Sequence, residues 1–281
     1  MTEHQGADYR WRCSRSLLCL EPVWPVPATV RAFVTTRQGG HSVEPYASLN
    51  LATHVGDDPG VVIRNRRHLI SALDLPAEPD WLTQVHGSRV VDAREPAGSA
   101  PPECADAATT AIPGVVLAVL TADCLPVFFA DRNGCRVAVA HAGWRGLAQG
   151  VLEATLEAMG RDPSELVAWI GPGIEGDCYE TGPGVREVFT RPEDLRFFLP
   201  RARPEHFGVD LAALAHARLE RRGVGWIGHG PFGTFRHPEL FYSYRREGMT
   251  GRMASVIYLA SSEPRAEGEN PRTPGVRVAA V

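Results

Sequence analysis

The sequence lacks the features that direct a chain into a membrane or out of the cell. No apolar run reaches the ~18 residues that a membrane-spanning helix needs. The first fifteen residues are polar and contain no apolar core of the kind found in signal peptides. We therefore expect a cytoplasmic protein that has no membrane partner.

The sequence also lacks a cysteine framework and a strong charge of one sign. Its six cysteines are scattered, and none belongs to a Cys-x-x-Cys pair, so a disulfide framework is not expected. The net charge is −4 and the isoelectric point is about 6.2. Without a basic field, we expect no nucleic-acid partner.

What the sequence contains is enough apolar material for one large domain. Hydrophobic residues make up 44% and aromatic residues 8% of the 281 positions. Strand-like and helix-like segments alternate irregularly, which favours an α+β fold with mixed sheets over a doubly wound parallel sheet. We predict a single domain over residues 16–260, preceded by a flexible segment (1–15) and followed by a flexible, proline-containing tail (261–281).

The clearest local structure predicted from the sequence is a β-hairpin closed by Asn133-Gly134. Asn-Gly between apolar runs is a strong hairpin signal, because a type I′ turn needs two positive φ angles. Counting outward from that turn, Cys124 lies opposite Gly143. Side chains alternate faces along a strand, so Cys124 and His141 share one face, roughly 7–8 Å apart at the backbone. The glycine leaves room for both to reach one metal ion.

Two more elements bring polar side chains into the argument. Residues 81–91 are predicted to form a strand with His86 near its middle, where a histidine is more often a hydrogen-bonded core residue than a ligand. Residues 146–159 carry apolar side chains at helical spacing and are predicted to form one helix. Arg145 lies at its start, where free N–H groups and the positive end of the dipole favour an anion.

Seven short motifs occur in order along the chain. They are residues 36–42 (TRQGGHS), 48–51 (SLNL), 54–57 (HVGD), 84–87 (QVHG), 121–124 (TADC), 141–146 (HAGWRG), and 242–246 (YSYRR) with 250–252 (TGR). Together they make the chain resemble the YfiH family from residue 31 to about residue 260. Members of that family have been described as multicopper polyphenol oxidoreductases and later as purine nucleoside phosphorylases. The resemblance implies a layered α-β-β-α sandwich, similar to the cytotoxic necrotizing factor fold.

The resemblance implies a metal centre formed by His86, Cys124 and His141. The predicted hairpin register independently places Cys124 and His141 on one face, whereas His86 as a ligand follows from the resemblance alone. Two imidazoles and a thiolate suit zinc, and copper is a second possibility. Three protein ligands leave a fourth position open, as in catalytic zinc sites. The family often has Cys-Thr where this chain has Gly233-Thr234, which removes one thiol but leaves the metal set whole.

Beyond the ligand set, the chemistry of the side chains gives candidates for the residues that surround the reaction. The catalytic candidates are Cys124, His141, Asp123 and Arg145, and the substrate-binding candidates are Arg37, Asn50, Gln84, Arg245 and Arg246. Guanidinium groups match phosphate through two parallel hydrogen bonds, which makes the arginines phosphate-binding candidates. Asp106 and Asp123 are candidates to carry protons or to orient a ligating histidine.

Four functions are compatible with these residues. The resemblance favours a zinc-dependent purine nucleoside phosphorylase, a monomer or homodimer that cleaves adenosine, inosine, guanosine and methylthioadenosine with phosphate, with adenosine deamination as a second activity. A copper-dependent polyphenol oxidase is disfavoured, because none of the ten histidines forms a His-x-His cluster. A cysteine hydrolase or amidase acting on peptidoglycan precursors stays open, with Cys124 as nucleophile and His141 as base. A non-catalytic module with a structural zinc ion is the fourth.

Overall fold

The computed structural model describes residues 8–98, 101–230 and 233–261. Its helices are α1 (Pro59–Leu73), α2 (Trp144–Gln149), α3 (Val151–Met159), α4 (Pro183–Glu187), α5 (Leu211–Arg221) and α6 (Tyr244–Glu247), with 3₁₀ turns at Pro163–Glu165 and Pro192–Phe197. Its strands are β1 (Tyr9–Ser14), β2 (Leu17–Pro22), β3 (Val30–Thr35), β4 (Asp80–Trp81), β5 (Val90–Asp92), β6 (Ala107–Thr110), β7 (Val116–Thr121), β8 (Leu125–Asp131), β9 (Val137–Ala142), β10 (Leu166–Ile170), β11 (Glu180–Thr181), β12 (Phe198–Pro200), β13 (Phe207–Val209), β14 (Trp226–His229) and β15 (Met253–Leu259).

Two six-stranded sheets form the middle of the domain. The first sheet has the order β1-β2-β3-β15-β7-β4, and the second has the order β14-β10-β8-β9-β6-β5. Most neighbouring strands are antiparallel, but β4 pairs with β7, β5 with β6 and β10 with β14 in parallel. Both sheets are therefore mixed, as the sequence predicted. A small third sheet joins β11, β13 and β12.

The layers follow from the alternation of side chains along the strands. Along β9, Val137 and Val139 point into the apolar layer between the two sheets, while Ala138 and Ala140 face the layer under α3 and α5. Helix α1 covers the outer face of the first sheet through side chains such as Leu69. The order helix, sheet, sheet, helix confirms the predicted α-β-β-α sandwich.

The β8–β9 hairpin has the predicted register but a different turn. Leu125 lies opposite Ala142, as counting from Asn133-Gly134 requires. The turn is not type I′, because only Gly134 of the pair has a positive φ, of 69°. Instead, the Asp131 carboxylate accepts the amide of Asn133 at 2.9 Å and closes a loop over residues 132–135. This longer loop has the same centre as the expected turn, so the register is unchanged.

Three local predictions were wrong, each for an identifiable reason. Residues 1–15 are not flexible throughout, because Tyr9–Ser14 form edge strand β1 against β2. The helix expected over residues 146–159 is broken at Gly150, whose φ of 85° separates α2 from α3. The strand expected over residues 81–91 exists only at its two ends. Residues 1–7 and 262–281 of the predicted flexible ends lie outside the described residues.

No helix among the described residues has both the length and the apolar character needed to cross a membrane.

Candidate metal centre

The site is built where the chain passes from one sheet to the other. Strand β7 ends at Thr121 in the first sheet, and β8 begins at Leu125 in the second. The connection turns sharply at Asp123, whose φ of 93° is rare for a residue with a side chain. Cys124 follows that turn. His141 lies two residues beyond Val139 on β9, so both side chains point to the same inter-sheet side of the strand. Cys124 approaches His141 on that side.

His141 is held in one orientation by Asp106. Its Nδ1 lies 2.8 Å from Oδ1 of Asp106, and both side chains are buried. A carboxylate can only accept, so Nδ1 carries a proton, and Nε2 is the nitrogen that would give up its own proton to coordinate a metal ion. This is the arrangement in which a carboxylate behind a histidine orients it for a metal ion.

His86 lies in a loop rather than in a strand, and the same carboxylate shapes that loop. The backbone amides of Val85, His86 and Gly87 all donate to Asp106, at 3.1, 2.9 and 2.7 Å. His86 has a φ of 61°, in the left-handed region. Gln84 anchors the other end of the loop through two hydrogen bonds to the backbone of Leu120 at the end of β7.

The three predicted ligands converge. The ligand atoms of His86, Cys124 and His141 all lie within 4.8 Å of one another, and no other such group of three occurs in the described residues. The imidazoles of His86 and His141 meet edge to face, with centroids 4.8 Å apart. Gly143 makes the approach possible, because a Cβ there would lie 2.7 Å from Sγ of Cys124. The room opposite Cys124 that the sequence implied is therefore present and filled by its sulfur.

The charges in the cluster support one another. Burial alone would raise the pKa of Cys124, but the charge of His141 and hydrogen bonds from His141 and His86 lower it to about 6. Burial would lower the pKa of His141, but the charge of Cys124 and its bonds to Asp106 and Cys124 raise it to about 9. Burial likewise opposes ionisation of Asp106, yet the bonds from His141 and Gly87 leave its pKa lowered. A thiolate ligand is thus available near neutral pH.

Asp123 is committed to holding neighbouring segments in place. Its Oδ1 accepts the hydroxyl of Thr234 at 2.6 Å, and its Oδ2 accepts the backbone amide of Arg245 at 2.7 Å. At the departure from the family pattern, a Cβ on Gly233 would lie 1.8 Å from the carboxyl carbon of Glu175. That carboxylate accepts the amide of Phe235, so Glu175 occupies the space beside Gly233.

The predicted arginines differ in what their side chains contact. Arg145 and Arg245 lie exposed near the cluster, and their guanidinium carbons stand 4.3 Å from the Trp144 ring and 4.8 Å from the Tyr179 ring. Burial, and then the nearby charge of Cys124, raise the pKa of Tyr179 to about 12. Tyr179 therefore belongs to the surroundings of the cluster, although the sequence pattern offered no signal for it.

In the other predicted substrate-binding residues, the polar side-chain atoms form hydrogen bonds within the domain. Arg246 donates to the carbonyls of Thr234, Phe235 and Phe241 and to the Glu247 carboxylate. Arg37 donates to the carbonyls of Ala47 and Pro238 and also to Glu247. Asn50 is fully buried and donates to the carbonyl of Ala52 and to Asp57.

One residue of the site was missed although its motif was noted. Arg252 closes the TGR motif, and its charge is felt by the site, since Cys124 and Asp123 both raise its pKa against the larger lowering effect of burial. The signal in the sequence was the motif itself, which received no role.

Comparisons with known proteins agree on the family but not on the activity named. A family model described as multi-copper polyphenol oxidoreductase laccase matches residues 31–260. A purine nucleoside phosphorylase of Pseudomonas aeruginosa is 49% identical over 242 residues, 85% of this chain and 98% of that protein. The purine nucleoside phosphorylase YfiH of Escherichia coli is 45% identical over 239 residues, 85% of this chain and 97% of that protein.

Solved structures match over nearly the same length. Neisseria meningitidis protein NMB0706 superposes with a TM-score of 0.82 at 45% identity, covering 86% of this chain and 99% of that chain. YlmD from Geobacillus stearothermophilus superposes with a TM-score of 0.80 at 28% identity, covering 91% and 100%. With a matching family model, relatives of this identity and the layered sandwich itself, the chain belongs to the YfiH family, whose model carries the polyphenol oxidoreductase description.

Proposed function

We propose that this protein is a zinc-dependent purine nucleoside phosphorylase that acts on adenosine, inosine, guanosine and methylthioadenosine. The relatives named purine nucleoside phosphorylase support the reaction class. The observation that carries the proposal is the convergence of His86, Cys124 and His141 within 4.8 Å, beside exposed arginine side chains. A site that combines a metal ion with guanidinium groups suits a substrate such as phosphate, which carries two negative charges.

The residues present fit a zinc ion. His141 presents Nε2 because Asp106 holds Nδ1, Cys124 offers a thiolate, and His86 lies on a loop that the same carboxylate fixes. Two nitrogens and one sulfur form a ligand set typical of zinc, and three protein ligands leave a position for a reacting group. Zinc bound there would supply Lewis-acid chemistry, the polarisation of a reacting oxygen.

The reaction needs phosphate and nucleoside held together while charge moves. A phosphate oxygen forms the new bond to C1′ of the ribose as the bond from C1′ to the base breaks, and the base takes the electron pair and a proton. Arg145 and Arg245 bind anionic groups at the rim of the site. Tyr179 offers an aromatic face beside Arg245 for the purine. Asp123 keeps the Arg245 segment in place through its amide.

The first experiment measures release of hypoxanthine from inosine with and without phosphate, together with zinc per chain. We expect release to require phosphate, and Cys124→Ala to lose both zinc and at least about 100-fold of the activity, because a thiolate ligand is removed. Cys135→Ala is the matched control, since Cys135 is an exposed thiol at the far end of the same hairpin. Base release that needs no phosphate, or that persists in Cys124→Ala, would refute the proposal.

Adenosine deamination is a second activity of the same site in this proposal. It is measured as formation of inosine from adenosine in the absence of phosphate. We expect it to disappear together with zinc in Cys124→Ala, because both reactions use one centre.

A cysteine hydrolase acting on peptidoglycan precursors is the competing function, and one observation favours it. Cys124, His141 and Asp106 form a chain of thiolate, imidazole and carboxylate, which is the order of groups in cysteine hydrolases. Metal removal separates the two functions. A chelator abolishes zinc-dependent phosphorolysis, whereas a nucleophilic thiolate keeps or gains activity when the metal leaves it. The same metal analysis distinguishes zinc from copper.

A further inference from the structure

Arg252 lies beside the metal centre at the start of β15. The next residue, Met253, pairs with Thr121, the last residue of β7. Arg252 is therefore level with the segment that carries Asp123 and Cys124 from one sheet to the other. The charges of Cys124 and Asp123 both raise the pKa of the Arg252 guanidinium, in agreement with this placement.

The guanidinium of Arg252 has no carboxylate partner among residues 8–98, 101–230 and 233–261. Its Nη1 donates to the carbonyls of Thr250 and Gly251, both at 2.9 Å, and its backbone amide donates to Asn50. Its Nε and Nη2 make no hydrogen bond to any described residue. Arg246, six positions earlier, uses both of its terminal nitrogens by contrast, since they donate to three carbonyls and to Glu247.

Burial destabilises the charged form of Arg252, which has no carboxylate partner among the described residues. Desolvation is the largest influence on Arg252 and lowers its pKa, while Cys124 and Asp123 offset only part of that effect. A partly buried cation without a counterion favours binding of an anion from solution.

A cavity of about 330 Å³ opens beside Arg252. Its lining consists of His54, Val55, Tyr244, Gly248, Met249, Thr250 and Arg252. No carboxylate is among these lining residues. Burial, followed by the charges of Arg252 and Arg66, lowers the pKa of His54, which is therefore a neutral imidazole with one N–H to donate. The volume is at the lower end for ligand pockets, which suits a small anion better than a whole nucleoside.

We propose that this cavity is the phosphate subsite of the enzyme, with Arg252 as its main binding residue and His54 as a second donor. The chain contains no lysine, so a phosphate subsite here has to be built from arginine, histidine and amide groups. This inference rests on the proposed function for the identity of the anion. Under this inference phosphate binds at the half-buried Arg252 rather than at the exposed Arg145 and Arg245. The side of the cluster near Tyr179 is then left for the nucleoside.

The test is thermal unfolding of the zinc-loaded and zinc-free protein in increasing inorganic phosphate, with sulfate and chloride at matched ionic strength. Ligand binding to the folded state raises the melting temperature by mass action, whether or not the protein has activity. We expect wild type to be stabilised by phosphate, and Arg252→Gln to bind it roughly 10- to 100-fold more weakly, because a charged donor pair is lost. Arg252→Lys should fall between the two, since it keeps the charge but not the fork. Arg67→Gln, on the exposed side of α1, is the control and should bind phosphate as wild type does.

The outcomes separate this inference from the proposed function. In the activity assay, Arg252→Gln should raise KM for phosphate about 10- to 100-fold and leave KM for inosine within about threefold. Phosphate binding that Arg252→Gln leaves unchanged, or stabilisation of wild type by chloride as strong as by phosphate, would overturn the subsite. Phosphate binding lost in Arg252→Gln together with base release that needs no phosphate would uphold the subsite and refute the phosphorylase.

Discussion

Two pairs of histidines lie at similar distances in the described part of this protein, but only one of these pairs belongs to the candidate metal centre. The rings of His86 and His141 have centroids 4.8 Å apart and meet at 79°, while those of His216 and His229 are 4.9 Å apart and stacked at 19°. The first pair lies at the junction of the two sheets. The second links α5 to the end of β14. Distance between imidazoles therefore does not decide which pair can bind a metal ion.

The partners of the nitrogen atoms make the difference. In the second pair, Nδ1 of His216 and Nε2 of His229 hydrogen-bond to each other at 2.6 Å, so each ring uses a nitrogen on the other. In the first pair, Asp106 takes Nδ1 of His141 and leaves Nε2 for a ligand. The first pair also has a thiolate as a third donor. A carboxylate behind the ring and a third ligand in front of it turn two neighbouring histidines into a site.

The largest contrast is expected when one histidine is removed from each pair. His141→Gln should reduce bound zinc from about one per chain to near zero and weaken zinc affinity at least about 100-fold, because it removes a direct ligand. His229→Gln should retain full zinc content. Mass spectrometry of the metal content of both purified variants checks this, and equal zinc content in the two would contradict the distinction drawn here.

The second largest effect is expected when the Asp106 carboxylate, which orients His141, loses its charge. Asp106→Asn should weaken zinc affinity about 10- to 100-fold and lower the free energy of unfolding by about 1–3 kcal/mol, since an amide cannot accept from all four donors. Competition with a chelator and thermal melts give the two quantities. Asp210→Asn is the control beside the second pair: it removes a charge but keeps a side-chain oxygen that can cap α5, and it should leave zinc affinity intact. A wild-type zinc affinity in Asp106→Asn would show that the carboxylate does not orient His141.

The space that Gly143 leaves for the sulfur of Cys124 can be tested by adding one methyl group at position 143. Gly143→Ala places a Cβ 2.7 Å from Sγ of Cys124, so the thiolate must shift and zinc affinity should fall about tenfold. Gly184→Ala is the matched control, because a Cβ there contacts nothing within 4 Å and its φ is not positive. The same chelator competition measures both variants. Unchanged zinc affinity in Gly143→Ala would mean that the segment carrying Cys124 shifts without cost and that Gly143 is not required.

The smallest expected effect is the pH dependence of alkylation in the metal-free protein. The pKa of Cys124 is lowered to about 6, so its thiolate is lost as pH falls through that value, and the pKa of His141, raised to about 9, keeps the imidazolium up to there. Alkylation of Cys124 by iodoacetamide should slow about tenfold between about pH 7 and about pH 5, and zinc should block it. Burial raises the pKa of Cys19 to about 12, so Cys19 should not react in the folded protein. A midpoint near pH 9 for Cys124 would contradict the ion pair.

The sequence was most informative where the decisive contacts are local. Asn133-Gly134 located the centre of the hairpin, and period-two alternation then brought Cys124 and His141 to one face. The strand predicted around His86 was wrong, because the amides of that loop bond to a carboxylate about twenty residues away rather than to a neighbouring strand. The partners of Arg246 and Arg252 are equally non-local. Nothing in the pattern of residues 242–252 distinguishes the arginine that pairs with a carboxylate from the one that does not.

Asp106 also ties this centre to contacts between segments that are far apart in the sequence. Its bonds to residues 85–87 span 19 to 21 positions and its bond to His141 spans 35, while its carbonyl accepts the amide of His141. The three candidate ligands therefore depend on the pairing of β6 with β9 and on the His86 loop as well as on the hairpin. An excised hairpin would carry two ligands and no carboxylate. A metal ion retained at this centre would therefore report that these separate segments have come together.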